Sequence, residues 1–174
     1  MTIRQERPAD AETREALLDE AFGETRYRKS SQRLRDGRLP AEGLSFIATE
    51  RKRVIGTARL WHVACAGGQQ ILLLGPVAVA ADSRNRAIGA ALVRRAIADA
   101  RRLGYGAVIL VGDAPYYGRF GFSAEKTGRL RLPGPFERHR LLALELKPGA
   151  LDAARGLIRA AGLRAAQPAV AAAA

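Results

Sequence analysis

A chain of 174 residues suits one domain, long enough to bury about 70% of the surface that its extended form exposes. Its 29 basic residues outnumber 17 acidic ones, for a formal charge of +12, but the cations are mostly arginines dispersed along an alanine-rich chain. That dispersal argues against a dedicated polyanion surface, so no nucleic-acid partner is expected. Cys65 stands alone and His62 lies far from His139, which excludes an intrachain disulfide and leaves no zinc-ligand spacing; no metal is expected. The first seven residues are charged, and no run approaches the roughly 18 apolar residues of a membrane span, so the expected location is the reducing cytoplasm, away from any membrane.

Residues 2–7 read as a short first strand. Pro8, Ala9 and Asp10 then offer a turn, with Asp10 as N-cap of a helix carrying Ala16, Leu17 and Phe22. The charge-dense segment 26–38 predicts a second short helix ended by Gly37, mobile or facing a substrate. Residues 44–49 and 54–63 read as strands on either side of the charged turn 50–53, and Gly67-Gly68 turns the chain into a third strand, residues 71–79, as an antiparallel meander. That third strand is almost continuously apolar, the pattern of a strand buried on both faces.

Residues 86–103 follow a helical period, with Ile88, Leu92, Val93, Ala96 and Ile97 on the half facing the sheet and arginines opposite. Gly104 to Gly106 closes the helix. Residues 107–111 form another apolar strand, so 71–111 is a strand, helix, strand crossover with parallel strands. Beyond it, residues 114–119 predict one helical turn, and 121–124 and 141–146 two last strands. The catalytic domain is placed at residues 1–150, with a C-terminal helix and an alanine-rich frayed tail in 151–174. The fold class is α/β, a central mixed sheet flanked by helices.

The turn after the third strand carries the strongest functional signal. Arg84, Asn85, Arg86, Ala87, Ile88, Gly89 and Ala90 lead into a helix with little side-chain bulk, and backbone N–H groups at a helix start, flanked by arginines, form a cradle for a pyrophosphate. The position is the carboxyl end of a buried strand, where open α/β sheets bind ligands. About thirty residues on stands Asp113-Ala114-Pro115-Tyr116-Tyr117-Gly118-Arg119-Phe120-Gly121-Phe122.

In the order of these elements and in both motifs, residues 2–150 resemble the GNAT superfamily of acetyl-CoA-dependent N-acetyltransferases. The family's phosphate motif is Gln or Arg, two residues, Gly, one residue, then Gly or Ala; Arg84 and Gly89 match its ends, and Ala87 stands where the middle glycine belongs. The resemblance implies the acyl-CoA N-acyltransferase fold, acetyl-CoA as cosubstrate, and acetyl transfer to a primary amine by direct attack in a ternary complex. It further implies that Val77, Ala78 and Val79 pair with the pantetheine arm, the preceding Gly75-Pro76 marking a distortion. Tyr117 matches the family's general acid, with Tyr116 as its substitute, against the plain reading of aromatic packing beside Phe120 and Phe122. Asp113 either contacts the cofactor or caps the following turn, and capping is favoured.

No carboxylate on the third strand serves as a base. Glu24, Glu42 and His62 are the candidates beside a water chain or an amine that arrives deprotonated. Cys65 has no partner histidine, so no covalent enzyme intermediate is implied. Acceptors in this superfamily run from small molecules to peptide amines, and dimers are common in it; here the arginines in residues 22–39 and 130–139 favour an acceptor carrying an acidic group. The competing readings are a non-catalytic CoA-binding module, supported by Ala87 and the missing base, and a basic nucleic-acid-associated protein.

Overall fold

The computed structural model describes residues 1–166, and the expected frayed tail, 167–174, lies outside the described residues. Strands β1 (Thr2–Gln5), β2 (Ser45–Glu50), β3 (Arg53–Ala66) and β4 (Ile71–Val79) form the antiparallel meander, the last with the expected bounds. After helix α2 (Ile88–Arg102), β5 (Ala107–Val111) returns parallel to β4 over Ile71 to Leu73, and β7 (Leu141–Glu145) lies antiparallel beyond it. The sheet order is β1, β2, β3, β4, β5, β7, a mixed open sheet with α1 (Ala11–Phe22) and α2 against it.

Alternate side chains of the buried strands serve two cores, which is why they read as unbroken apolar runs. Leu72, Leu74, Val108 and Leu110 pack with Leu92, Val93 and Ala96 of α2. Ile71, Leu73, Ala107 and Ile109 face the other way, against Leu130, Leu151 and Ile158. On that second face α1 buries Leu17 and Leu18 against Ile47, Val54 and Ala78.

Four local expectations are corrected or refined. Asp10 holds the N-cap position of α1, but its side chain makes no capping bond there; its carboxylate accepts from the Arg4 guanidinium at 2.7 and 2.8 Å and from the Arg7 N–H at 2.7 Å, and the Arg4 bonds hold it down at a pKa of about 2. Residues 26–38 form no α-helix. They fold as short 3₁₀ turns, Glu24–Arg28 and Gln32–Leu34, because only Leu34 and part of the Arg35 stem have apolar surroundings, too little to hold a helical face. Residues 121–124 contribute one bridge, Ser123 to Ala143, rather than a strand.

The expected C-terminal helix is a strand, β8 (Arg155–Ala160). It takes the edge of β3 that β2 leaves free, pairing at Val63, Ala64 and Ala66, and pairs on its other side with the two-residue β6 (Leu130–Arg131). The stretch of β3 beyond its pairing with β2 offered an open strand edge, and its backbone hydrogen bonds decided for strand. Among the described residues no helix is long and apolar enough to cross a membrane.

Candidate active site

The site is set by one irregularity in β4. Ala58 pairs with Val77 but Leu60 pairs with Leu74, so three steps of β4 span two of β3, a bulge at Gly75-Pro76 where proline has no N–H for the ladder. The extra residue reverses the strand's side-chain phase, so Val77 and Val79 join the face of Leu72 and Leu74 while Ala78 turns to the α1 side. Pairing between β4 and β5 ends at Leu73 and Ile109, and past that point the two strands part. One cavity lies at the start of α2, where β4 ends, and another at the parting.

The first cavity, about 450 Å³, is lined by Val79, Ser83, Arg84, Asn85, Ala87 to Ala90, Tyr116 and Arg119. Helix α2 begins at Ile88 rather than residue 86, and its N-cap Ala87 is left-handed, with φ +57°, as is Asn85 at +63°. Turns that carry alternate left-handed residues direct successive N–H groups to one side and make an anion-binding concavity, which the start of α2 reinforces. Ala87, where the family's middle glycine belongs, thus takes the left-handed backbone that glycine adopts freely. A Cβ on Gly89 would lie 3.2 Å from the Tyr116 hydroxyl, so glycine there lets the helix start sit close against that ring. Of the two arginines expected to add charge, Arg84 lines the cavity, whereas Arg86 is paired with Glu50 at 2.6 and 3.0 Å. Arg119 takes that role; its guanidinium stacks 3.9 Å over the Tyr116 ring.

Left-handed alanine costs about 1–2 kcal/mol where glycine is nearly free. Ala87→Gly is therefore expected to stabilise the protein by about 1 kcal/mol and raise Tm by about 2–4 °C in scanning calorimetry. A lowered Tm would show that the alanine conformation carries no strain.

The second cavity, about 220 Å³, lies between Leu74 to Val77 of β4 and Val111 to Asp113 at the end of β5, with Phe22, Arg26, Lys29, Ser31 and Arg35 above and Tyr117 and Arg140 at its side. Asp113 is the N-cap of α3 (Ala114–Gly118), its carboxylate accepting the Tyr116 N–H at 3.1 Å, in line with the favoured capping reading. Tyr116 and Tyr117 meet edge to face with ring centroids 4.9 Å apart, so neighbouring residues of one short helix serve the two cavities. Phe122 packs edge-on against Tyr117 at 6.0 Å, and this burial pushes the Tyr117 phenol up to about 12. Gly112 is what lets the ring in: a Cβ there would come within 2.4 Å of it.

None of Glu24, Glu42 and His62 lines either cavity; His62 faces the Tyr105 hydroxyl at 3.4 Å. Cys65 lies near the end of β3, and burial pushes its thiol up, the opposite of an activated nucleophile. No group of three or more metal-ligating side chains is assembled among the described residues.

An open mixed sheet whose parallel pair splays beside a helix-start cradle defines an acyltransferase scaffold, and the chain belongs to the GNAT acetyltransferase family. The Acetyltransferase (GNAT) family matches residues 11–122. The Escherichia coli K12 protein named uncharacterized N-acetyltransferase YhbS is 35% identical over 149 residues, 81% of this chain and 87% of that protein. The crystal structure of YhbS from Escherichia coli in complex with CoA superposes with a TM-score of 0.78 at 31% identity, over 92% of this chain and 89% of that one. A GNAT acetyltransferase from Brucella melitensis in complex with acetyl-CoA gives 0.65 at 28% identity, over 84% and 88%.

Arg119 was not singled out in the sequence, and of the cationic lining of the second cavity only Arg26 and Arg35 were, among the arginines of 22–39. Arg119 stood inside the quoted Tyr-Tyr motif, and Lys29 and Arg35 inside the segment expected to face a substrate, so position along the chain was the available signal. Arg140 carried none.

Proposed function

We propose that the protein is an acetyl-CoA-dependent N-acetyltransferase that moves an acetyl group to a primary amine of a small molecule or peptide by direct attack in a ternary complex. The observation that carries this reading is a pair of cavities lined by neighbouring tyrosines of α3, the helix-start cradle with Tyr116 in one and the parted strands with Tyr117 in the other. The CoA-bound relatives support the choice of donor.

The cradle N–H groups near Arg86 to Ala90, with Arg84 and Arg119, hold the phosphates, and the free edge of Val77, Ala78 and Val79 receives the pantetheine arm as an added strand. Acetyl-CoA, as substrate, supplies an activated thioester. The acceptor nitrogen attacks the thioester carbonyl carbon; the C–N bond forms as the C–S bond breaks, the nitrogen gives up a proton and the sulfur gains one. Tyr117 keeps its proton throughout the neutral range and donates a hydrogen bond from Oη to the departing sulfur. Because burial makes this phenol a weaker acid than a thiol, its part is the hydrogen bond to the departing thiolate, and the proton that nitrogen releases reaches the sulfur through solvent.

The cavity also explains how an acceptor loses its proton without a dedicated carboxylate base. Asp113 is the single acid among its described lining residues and is engaged as a cap, while Arg26, Lys29, Arg35 and Arg140 surround the space with positive charge. That field disfavours an ammonium. Lys29 reports its sign, since burial first, then Arg35 and Arg140, lower its own pKa.

The test is calorimetry with acetyl-CoA followed by a screen of primary amines that reads released thiol and acetylated product. Micromolar cofactor binding with amine-dependent thiol release is expected; no binding at millimolar cofactor ends the proposal.

A further inference from the structure

The cationic wall of the second cavity is more than acceptor deprotonation requires. Arg35 is only 9% exposed, its Nε is buried without a hydrogen-bond partner, and it forms no salt bridge among the described residues. A buried guanidinium left this way is costly, because nothing replaces the water it has given up. Its Nη1 lies 3.7 Å from where a Cβ on Gly75 would stand, at the bulge that opens the cavity. Lys29 lines the same space, resting 4.8 Å over the Phe22 ring with no acidic partner among the described residues, and Arg140 adds a third cation held loosely by Glu137 at 3.6 Å. Arg26 differs: Glu15 at 2.7 Å and Asp19 at 2.9 Å already pair it. The cavity is thus lined by unmatched positive charge, and Asp113, its one carboxylate, faces the α3 N-terminus.

We propose that the unpaired Arg35, with Lys29 and Arg140, binds an anionic group of the acceptor, so that the substrate class is a small amine carrying a carboxylate or phosphate. The idea rests on reading this cavity as the acceptor side of an acetyltransferase. The arrangement divides labour: the anion meets Arg35 and Lys29, which orients the amine end toward Tyr117 and the parted strands. An anion there gives the Arg35 Nη groups, which stand beside Gly75 at the cavity, an acceptor in the charge-assisted geometry guanidinium favours. A cavity of about 220 Å³ suits a compact amine better than a folded protein surface.

The experiment compares matched amines: γ-aminobutyrate against butylamine, and phosphoethanolamine against ethanolamine. Binding is followed at constant ionic strength with CoA present, by saturation-transfer NMR and by fluorescence of Trp61. That residue is the chain's single tryptophan, and its indole N–H donates to the Gly75 carbonyl at 2.6 Å beside the cavity. The anionic member of at least one pair is expected to bind about 10- to 100-fold more tightly than its neutral counterpart, and which pair does so separates carboxylate from phosphate. Arg35→Gln and Lys29→Ala should each raise the acceptor KM by about tenfold or more, and Lys29→Arg should restore most of the preference. The exposed Lys29 keeps the test free of folding effects should Arg35→Gln destabilise the protein.

Equal binding of neutral and anionic members, or a preference that survives Lys29→Ala and Arg35→Gln, overturns the proposal. The two readings separate cleanly. Anion binding without acetylation of any amine leaves the anion site standing and removes the acetyltransferase reading; acetylation that favours the neutral amines does the reverse.

Discussion

Tyr117→Phe is expected to lower kcat by about 100- to 1,000-fold while CoA affinity changes less than about threefold. The phenol oxygen is the only part of the side chain removed, so the packing with Tyr116, Phe120 and Phe122 that holds α3 stays in place. The split follows from location: Tyr117 lines the second cavity and the phosphate cradle lies in the first. Tyr116→Phe supplies the contrast, since its hydroxyl lies against Gly89 in the cradle cavity; it should alter KM for acetyl-CoA more than kcat. A kcat for Tyr117→Phe within about threefold of the parent removes the residue from the chemistry.

The pH profile carries the same argument. Burial raises the phenol pKa, so the protonated donor persists below about 12, and no loss of activity from its ionisation is due between pH 7 and 10. Activity in that range should rise with pH as the acceptor amine deprotonates, then level off. A falling limb near pH 10 that vanishes in Tyr117→Phe contradicts the buried-donor role. Gly112→Ala provides an independent handle, because the new methyl would meet the Tyr117 ring at 2.4 Å and force it from its seat; turnover should fall with the tyrosine still present.

The second large effect concerns stability. Glu6 is expected to be the most sensitive charged position, with Glu6→Ala costing about 3–5 kcal/mol and lowering Tm by about 10 °C. Its carboxylate accepts from Arg59 at 2.5 and 2.8 Å and also pairs with Arg14, and the side chains of Glu6, Arg14 and Arg59 are 8%, 9% and 15% exposed. One carboxylate thus joins the end of β1, helix α1 and strand β3. Its removal leaves two guanidiniums out of water, and Glu15, itself shared with Arg26, can compensate only Arg14. Glu6→Gln keeps an acceptor oxygen and should be milder. A Tm loss under about 3 °C for Glu6→Ala would mean that water reaches the cluster. Since α1 leads directly into the segment that carries Arg26, Lys29 and Arg35, this anchor also supports the acceptor cavity.

Much of this molecule is readable along the chain because its signals are local. The bounds of β4 and β5 follow from apolar runs, that of β5 flanked by Gly106 and Gly112, and α2 from its amphipathic period, with an error of two residues at a start that is not right-handed. Asp113 followed by proline marks a cap wherever it stands. The failures share a different cause. Whether 155–160 is helix or strand depended on a vacant edge of β3, and the fate of 26–38 on how little apolar surface it could find, neither of which is local information.

The sequence by itself determined the meander, the strand, helix, strand crossover, the helix-start cradle and the aromatic motif that follows it, because each is a pattern of neighbours within a few residues. Only the tertiary structure decided which charges matter. It withdrew Arg86 into a pair with Glu50, brought Arg119 to the cradle, and set Arg35 unpaired beside Gly75 and Lys29 beside Arg140. Charge pairing acts across space between residues far apart in the chain, so an arginine count reveals how much charge there is and folding alone reveals which of it is left without a partner.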